Sequence, residues 1–114
     1  MSVEALWTMH FESLSGPRHS AGVVVFETGR IFGGDSCYYY AGNYEIDRDV
    51  ITGNVESVRF NNTENCTSII GPYNRLVFSF RGELESDGQC IRAVLSAGDR
   101  GEIRATLTRR RDLP

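Results

Sequence analysis

Apolar and polar residues alternate along most of this chain, which is the pattern expected of β-strands with one buried face. Between Leu76 and Glu85, one parity carries Leu, Phe, Phe, Gly and Leu, and the other carries Val, Ser, Arg, Glu and Glu. Trp7, Met9 and Phe11 alternate with polar residues in the same way. Because successive side chains of a strand point to opposite faces of its sheet, these segments predict strands rather than helices.

Turn signals separate the alternating segments. Asp87-Gly88 lies between two of them, and this dipeptide favours the tight turn of a β-hairpin. Gly29 predicts a second hairpin, and short polar segments at 47–49 and 99–101 predict two more. The polar segment 61–74 is the longest one without a strand pattern. The strands are therefore predicted at 5–14, 21–28, 30–34, 37–46, 50–60, 75–85, 89–98 and 102–110.

Consecutive hairpins without intervening helices favour an up-and-down antiparallel sheet, and closing that sheet removes its exposed edges. We expect one all-β domain over residues 1–114: a lipocalin- or calycin-like antiparallel barrel of about eight strands. The interior of such a barrel is either filled by side chains or holds one small ligand, and the sequence leaves both open. The candidate lumen residues are Trp7, Met9, Phe11, Val25, Tyr39, Phe60, Phe78, Phe80 and Leu95.

Composition and charge narrow the choice of partners. The formal net charge of −3 gives no positive field for phosphate backbones, so no direct nucleic-acid binding is expected. No apolar run approaches the roughly 20 residues of a membrane-spanning helix. The first residues show no basic segment followed by an apolar stretch, which favours a cytoplasmic location.

The chemistry-bearing residues do not form a recognisable catalytic or metal-binding pattern. The three cysteines, Cys37, Cys66 and Cys90, are widely spaced, so we expect reduced thiols and no metal site. His10 falls on a polar parity and His19 in a polar turn, where neither is positioned as a catalytic base. No glycine-rich phosphate-binding motif occurs, and no cofactor is expected. The sequence therefore favours a protein that is not an enzyme.

One segment is distinctive enough to suggest a family. Residues 29–44 combine a hairpin glycine, the Gly33-Gly34-Asp35 step, a run of three tyrosines and a further Gly-x-Tyr. This segment resembles the GrlR-like family, small bacterial proteins named for a negative regulator of type III secretion gene expression. The resemblance implies a lipocalin-like barrel, a homodimer and no catalytic apparatus. It also implies binding to a helix-turn-helix transcriptional activator.

A regulatory acidic cluster of that family matches this chain only in part. The family's founding regulator carries Glu-Asp-Glu-Asp in the hairpin that corresponds to 46–49. Here Asp47 and Asp49 match, while Ile46 and Arg48 replace the glutamates. The local charge therefore falls from about −4 to about −1. The resemblance makes Asp47 and Asp49 candidate partner-binding residues, with a weaker field.

The same motif also has a purely structural interpretation. Gly33 and Gly34 allow a sharp bend, as at a bulge or barrel corner, and Asp35 can accept hydrogen bonds from the amides that the bend exposes. Two functional hypotheses follow. In the first, the chain is a regulatory module that binds a transcriptional regulator. In the second, the barrel binds a small apolar ligand in its lumen.

Overall fold

A computed structural model shows eight antiparallel strands that close into a barrel, each paired with its neighbours in chain order. The structure describes residues 2–13, 19–63, 73–85 and 87–114. The all-β up-and-down barrel predicted from the sequence is confirmed. The strands are β1 (Ala5–Ser13), β2 (His19–Glu27), β3 (Arg30–Gly34), β4 (Tyr38–Asp47), β5 (Val50–Arg59), β6 (Arg75–Leu84), β7 (Cys90–Ser96) and β8 (Glu102–Asp112).

The strand boundaries differ from the predicted ones by only a few residues. β2 begins at His19, so this histidine lies in a strand and not in the polar turn to which the sequence assigned it. A single turn of 3-10 helix, Gly98–Arg100, occupies the predicted turn before β8. The irregular segment predicted at 61–74 falls largely outside the described residues.

The turns adopt the conformations that tight hairpins require. Thr28 and Gly29 both have positive φ angles, of 50° and 77°, between β2 and β3. The backbone amide of Thr28 donates a 2.8 Å hydrogen bond to Oε1 of Glu4. This contact holds a β-branched residue in a region that it otherwise avoids. Arg48 (φ 59°) lies in the hairpin turn between β4 and β5, and Gly88 (φ 73°) lies in the one between β6 and β7.

The barrel closes where β1 pairs with β8. The register between these strands runs from Ala5 opposite Asp112 to Ser13 opposite Ile103, with a shift between Leu6 and Trp7. Because of this pairing, the sheet formed by the described strands has no exposed edge.

One end of the barrel interior is filled by aromatic side chains. The rings of Trp7 and Phe26 meet edge to face at 6.2 Å, and Phe26 meets Tyr44 in the same way at 5.1 Å. The Trp7 indole donates a 2.9 Å hydrogen bond to the carbonyl of Val3, and the guanidinium of Arg109 lies over the ring. A buried tryptophan with its N–H satisfied and its ring packed stabilises this end.

The Gly33-Gly34 step lies where β2 and β3 approach closely. A Cβ atom on Gly33 would lie 2.1 Å from the carbonyl oxygen of Val23, so no larger residue fits without moving the strands apart. The pairing of β3 with both neighbours continues through Gly34 without a register shift. The step is therefore a close approach in a continuous strand and not a bulge.

Candidate functional site

The lumen of the barrel contains a cavity of about 110 Å³. Most of the surrounding surface is apolar, with contributions from every strand. A cavity needs only about 10–15 Å³ to admit one water molecule, and an engineered apolar cavity of roughly 150 Å³ holds a benzene ring. The lumen therefore has space for more than one water molecule and approaches the volume that holds one aromatic ring.

Some of the lumen residues predicted from the sequence line the cavity, and others do not. Five of the nine candidates line the cavity: Met9, Phe11, Phe78, Phe80 and Leu95. Trp7 is fully buried but lies in the aromatic cluster at the filled end. The remaining three, Val25, Tyr39 and Phe60, do not line the cavity, so the prediction that they face the lumen is wrong.

Strand parity explains the three errors. Val24 and Phe26 line the cavity, so Val25 between them faces outward. Tyr39, on the outer parity of β4, is 48% exposed, and Phe60, which follows the last residue of β5, is 56% exposed. In β4, the inner parity carries Tyr38, Tyr40 and Tyr44, and the outer parity carries Asn43 and Glu45. This difference between the two parities is visible in the sequence, and it correctly places Tyr38 and Tyr40 on the inner face and Tyr39 on the outer face.

A polar cluster interrupts the apolar lining at the end of the barrel where β4 begins. We call Asp35, Tyr40 and Ser57 the polar cluster, and all three line the cavity. Tyr40 and Ser57 pair directly across β4 and β5, which places their side chains next to each other on the inner face. Asp35 reaches the same place from the loop between β3 and β4.

Three hydrogen bonds fix the Asp35 carboxylate. Its Oδ1 accepts the backbone amides of Cys37 and Tyr38, each at 2.8 Å, and its Oδ2 accepts the hydroxyl of Tyr40. The backbone amide of Asp35 donates in turn to the carbonyl of Tyr38 at 2.9 Å. The candidate corner residue Asp35 therefore orders its loop and also presents a carboxylate to the lumen.

Tyr40 is held as a neutral phenol. Burial, together with the hydrogen bond to the Asp35 carboxylate, raises the pKa of its hydroxyl well above the usual value. Space for the ring depends on Gly22, where an added Cβ would lie 3.1 Å from the hydroxyl oxygen. Because its proton points at Asp35, the Tyr40 oxygen can only accept a further hydrogen bond.

Ser57 is the buried polar side chain in the described core, with 7% of its surface exposed. Among the hydrogen bonds of the described residues, none involves its hydroxyl. Buried hydroxyl groups normally have a partner, because leaving one without a hydrogen bond costs roughly 1–3 kcal/mol. Since Ser57 lines the cavity, its hydroxyl is available to a molecule in the lumen.

The cysteine prediction is wrong in one respect. Cys37, which also lines the cavity, takes part in a disulfide whose partner lies outside the described residues. Cys90 is a free thiol. A cysteine in a disulfide has no thiolate, so Cys37 is not available as a nucleophile. Structural disulfides are typical of oxidising compartments. The disulfide at Cys37 therefore does not favour a cytoplasmic location, which stays a prediction.

Other candidate residues lie away from the lumen. Asp47 and Asp49 are exposed on the hairpin between β4 and β5, as expected for surface residues. No group of three or more acidic, histidine or cysteine side chains suited to a metal ion occurs among the described residues. Nor does the described part of the chain contain a helix with the length and apolar character needed to cross a membrane.

Comparison with known proteins identifies no family for this chain. No protein-family model matches the sequence, and no curated protein is significantly similar to it.

Proposed function

We propose that this protein binds a small, largely apolar molecule in the lumen of its barrel. The observation that carries the proposal is the cavity of about 110 Å³ with a predominantly apolar lining. Protein interiors are normally close-packed, and few interior voids exceed the size of a water molecule. A preformed, mostly apolar cavity with a few polar groups is the usual form of a small-molecule site, and this one is smaller than the roughly 300–1,000 Å³ typical of drug-sized ligands.

The test is binding of toluene, a small apolar molecule with a single ring. Calorimetry and methyl NMR are expected to show saturable binding, with shifts at lumen residues such as Val55. An Ala93→Leu variant fills part of the lumen and should weaken binding about tenfold or more. The matched control is Val94→Leu, at an outward position that is 43% exposed, which should bind as the wild type does.

A second lumen variant keeps the test valid if Ala93→Leu fails to fold. Leu95→Phe narrows the same cavity from another position on β7, and far-UV circular dichroism checks that each variant keeps its sheet. Absence of saturable toluene binding to the wild type would overturn the proposal. Equal binding by wild type and both lumen variants would overturn it as well, because the ligand would then lie elsewhere.

A second candidate function is supported by the outer surface. Val23, Phe32 and Tyr39 are 47%, 47% and 48% exposed on the adjacent strands β2, β3 and β4. We call these residues the outer apolar patch. Gly34 pairs with both Val23 and Tyr39, so the patch continues across three strands. Contiguous exposed apolar side chains are a common feature of protein interfaces.

For this surface we propose a protein partner, either a second copy of the chain or a transcriptional regulator of the helix-turn-helix type. The resemblance to the GrlR-like negative regulators supports both, and Asp47 and Asp49 are the hairpin residues that such a regulator would contact. A Phe32→Ser, Tyr39→Ser double variant should lose self-association in light scattering and lose capture of a transcriptional regulator. Retention of both by the double variant would reject the patch as the interface.

A further inference from the structure

We propose that the molecule held in the lumen carries a hydrogen-bond-donating head group, a hydroxyl or an amine, and that a carboxylate head is excluded. This inference rests on the proposed lumen function and specifies its ligand class. It follows from the polar cluster, whose three side chains all face one end of the cavity.

The polar cluster offers mainly acceptors. An ionised carboxylate has about four acceptor positions, and Asp35 uses three of them for Cys37, Tyr38 and Tyr40. The Tyr40 hydroxyl already donates its hydrogen bond to Asp35, so its oxygen can only accept another. The Ser57 hydroxyl can turn to accept or donate. In the polar cluster, a ligand donor therefore finds up to three acceptor atoms and a ligand acceptor finds Ser57, with the hydroxyl of Ser36 as a further donor on the cavity lining.

Charge favours the same class of ligand. Asp35 is the one charged residue among the described residues that line the cavity, and no lysine, arginine or histidine accompanies it there. Arg59 lies on the same parity of β5 as Ser57 and its Nε is buried, but the residue does not line the cavity. In a low-dielectric lumen, a ligand carboxylate beside Asp35 would meet like-charge repulsion in addition to its own desolvation. An ammonium group would be attracted.

Ser57 supplies an independent indication of a ligand. Its side chain is more than nine-tenths buried, lines the cavity and has no hydrogen bond to any described residue. A donor head group placed between Ser57 and Tyr40 would satisfy this hydroxyl. The apolar remainder of the molecule would then extend toward the aromatic cluster along Phe78 and Val55.

The experiment compares four molecules that share one ring and differ only in the head group: toluene, benzyl alcohol, benzylamine and benzoate. Calorimetry on the full chain is expected to rank benzylamine and benzyl alcohol above toluene, with benzoate the weakest. A Ser57→Ala variant should weaken benzyl alcohol about fivefold and leave toluene unchanged, as expected for one lost hydrogen bond. Ser79→Ala on the outer face of β6 is the matched control and should change none of the four affinities.

An Asp35→Asn variant removes the charge and replaces the oxygen that accepts the Tyr40 hydroxyl by an amide nitrogen. Asparagine keeps an oxygen for the amides of Cys37 and Tyr38 but removes the charge, so benzylamine should weaken about tenfold or more. The difference between benzoate and benzyl alcohol should narrow in the same variant. Toluene binding reports whether the lumen remains intact in each variant.

The outcomes distinguish the two proposals. If toluene binds in the lumen but benzoate equals or exceeds benzyl alcohol, the head-group inference is wrong and the lumen function stands. If Ser57→Ala changes none of the polar ligands, the inference is likewise wrong. If none of the four molecules binds to the wild type, the proposed function itself fails.

Discussion

Tyr40 shows how a single side chain connects the stability of the barrel with its site. Its ring is buried against Gly22, and its hydroxyl donates to the carboxylate that orders the loop between β3 and β4. The same group presents an acceptor to the cavity. A neutral phenol is needed for both contacts, and burial holds it neutral by raising its pKa.

This shift predicts how stability depends on pH. In the unfolded chain, Tyr40 loses its proton near pH 10, whereas the folded protein keeps it because its pKa is raised. Its stabilising contribution is therefore complete below about pH 10 and is lost as the pH rises above that value. We expect the free energy of unfolding to fall by up to about 1.4 kcal/mol per pH unit from this group.

Urea unfolding between about pH 9 and 11 measures this slope. A Tyr40→Phe variant should show a shallower slope, although its stability at neutral pH also falls because the bond to Asp35 is lost. The slope is reduced and not abolished, since burial also raises the pKa of Tyr44. An unchanged slope in Tyr40→Phe would contradict the assignment.

The cysteines give a second prediction at the residue scale. Cys37 is in a disulfide and Cys90 is free, so alkylation of the unfolded, unreduced protein should label Cys90 and leave Cys37 unlabelled. After reduction both should be labelled. Peptide mass spectrometry reads both results, and labelling of Cys37 before reduction would show that the bond is absent.

At the scale of the strand, the alternation of side chains decides what each position contributes. Leu76 and Val77 are neighbours on β6, but Leu76 is 1% exposed and Val77 is 50% exposed. Their similar chemistry makes them a direct comparison of the two faces. The same contrast explains why Val25, Tyr39 and Phe60 were wrongly predicted to face the lumen. Their side chains are apolar or aromatic, but they do not lie on the inner face.

We therefore predict different effects for two truncations on the same strand. Leu76→Ala should lower the free energy of unfolding by about 2–5 kcal/mol, because it removes buried surface and leaves a cavity. Val77→Ala should change it by no more than about 0.5 kcal/mol. Chemical denaturation measures both. Similar losses in the two variants would mean that β6 does not have one buried face and one exposed face.

At the scale of the whole molecule, closure between β1 and β8 gives every described strand two hydrogen-bonded neighbours. The amides of an open sheet's edge strands exchange quickly, because alternate groups face water. In this barrel, we expect the amides of β1 and β8 to exchange with deuterium as slowly as those of β4 and β5. NMR-detected exchange tests this, and fast exchange at alternate positions of β1 or β8 would indicate an open sheet.

Closure also creates the candidate site. Asp35, Tyr40 and Ser57 come from a loop and two strands, and only the curvature of the sheet turns them toward a shared interior. Asp35 was recognised from the sequence as a residue that would order a bend. Its second role, as a carboxylate facing the lumen, depends on where the neighbouring strands place Tyr40 and Ser57.

The sequence alone determined the strands, the turns and the single closed sheet, because alternation and turn residues are local properties that each segment carries by itself. Only the tertiary structure decided that the lumen keeps a cavity, that Tyr40 and not Tyr39 faces it, and that Cys37 is oxidised. Packing volume and the proximity of distant side chains depend on how eight strands curve around one axis. No local sequence pattern specifies that curvature, and the curvature is what brings the polar side chains together at one end of the lumen.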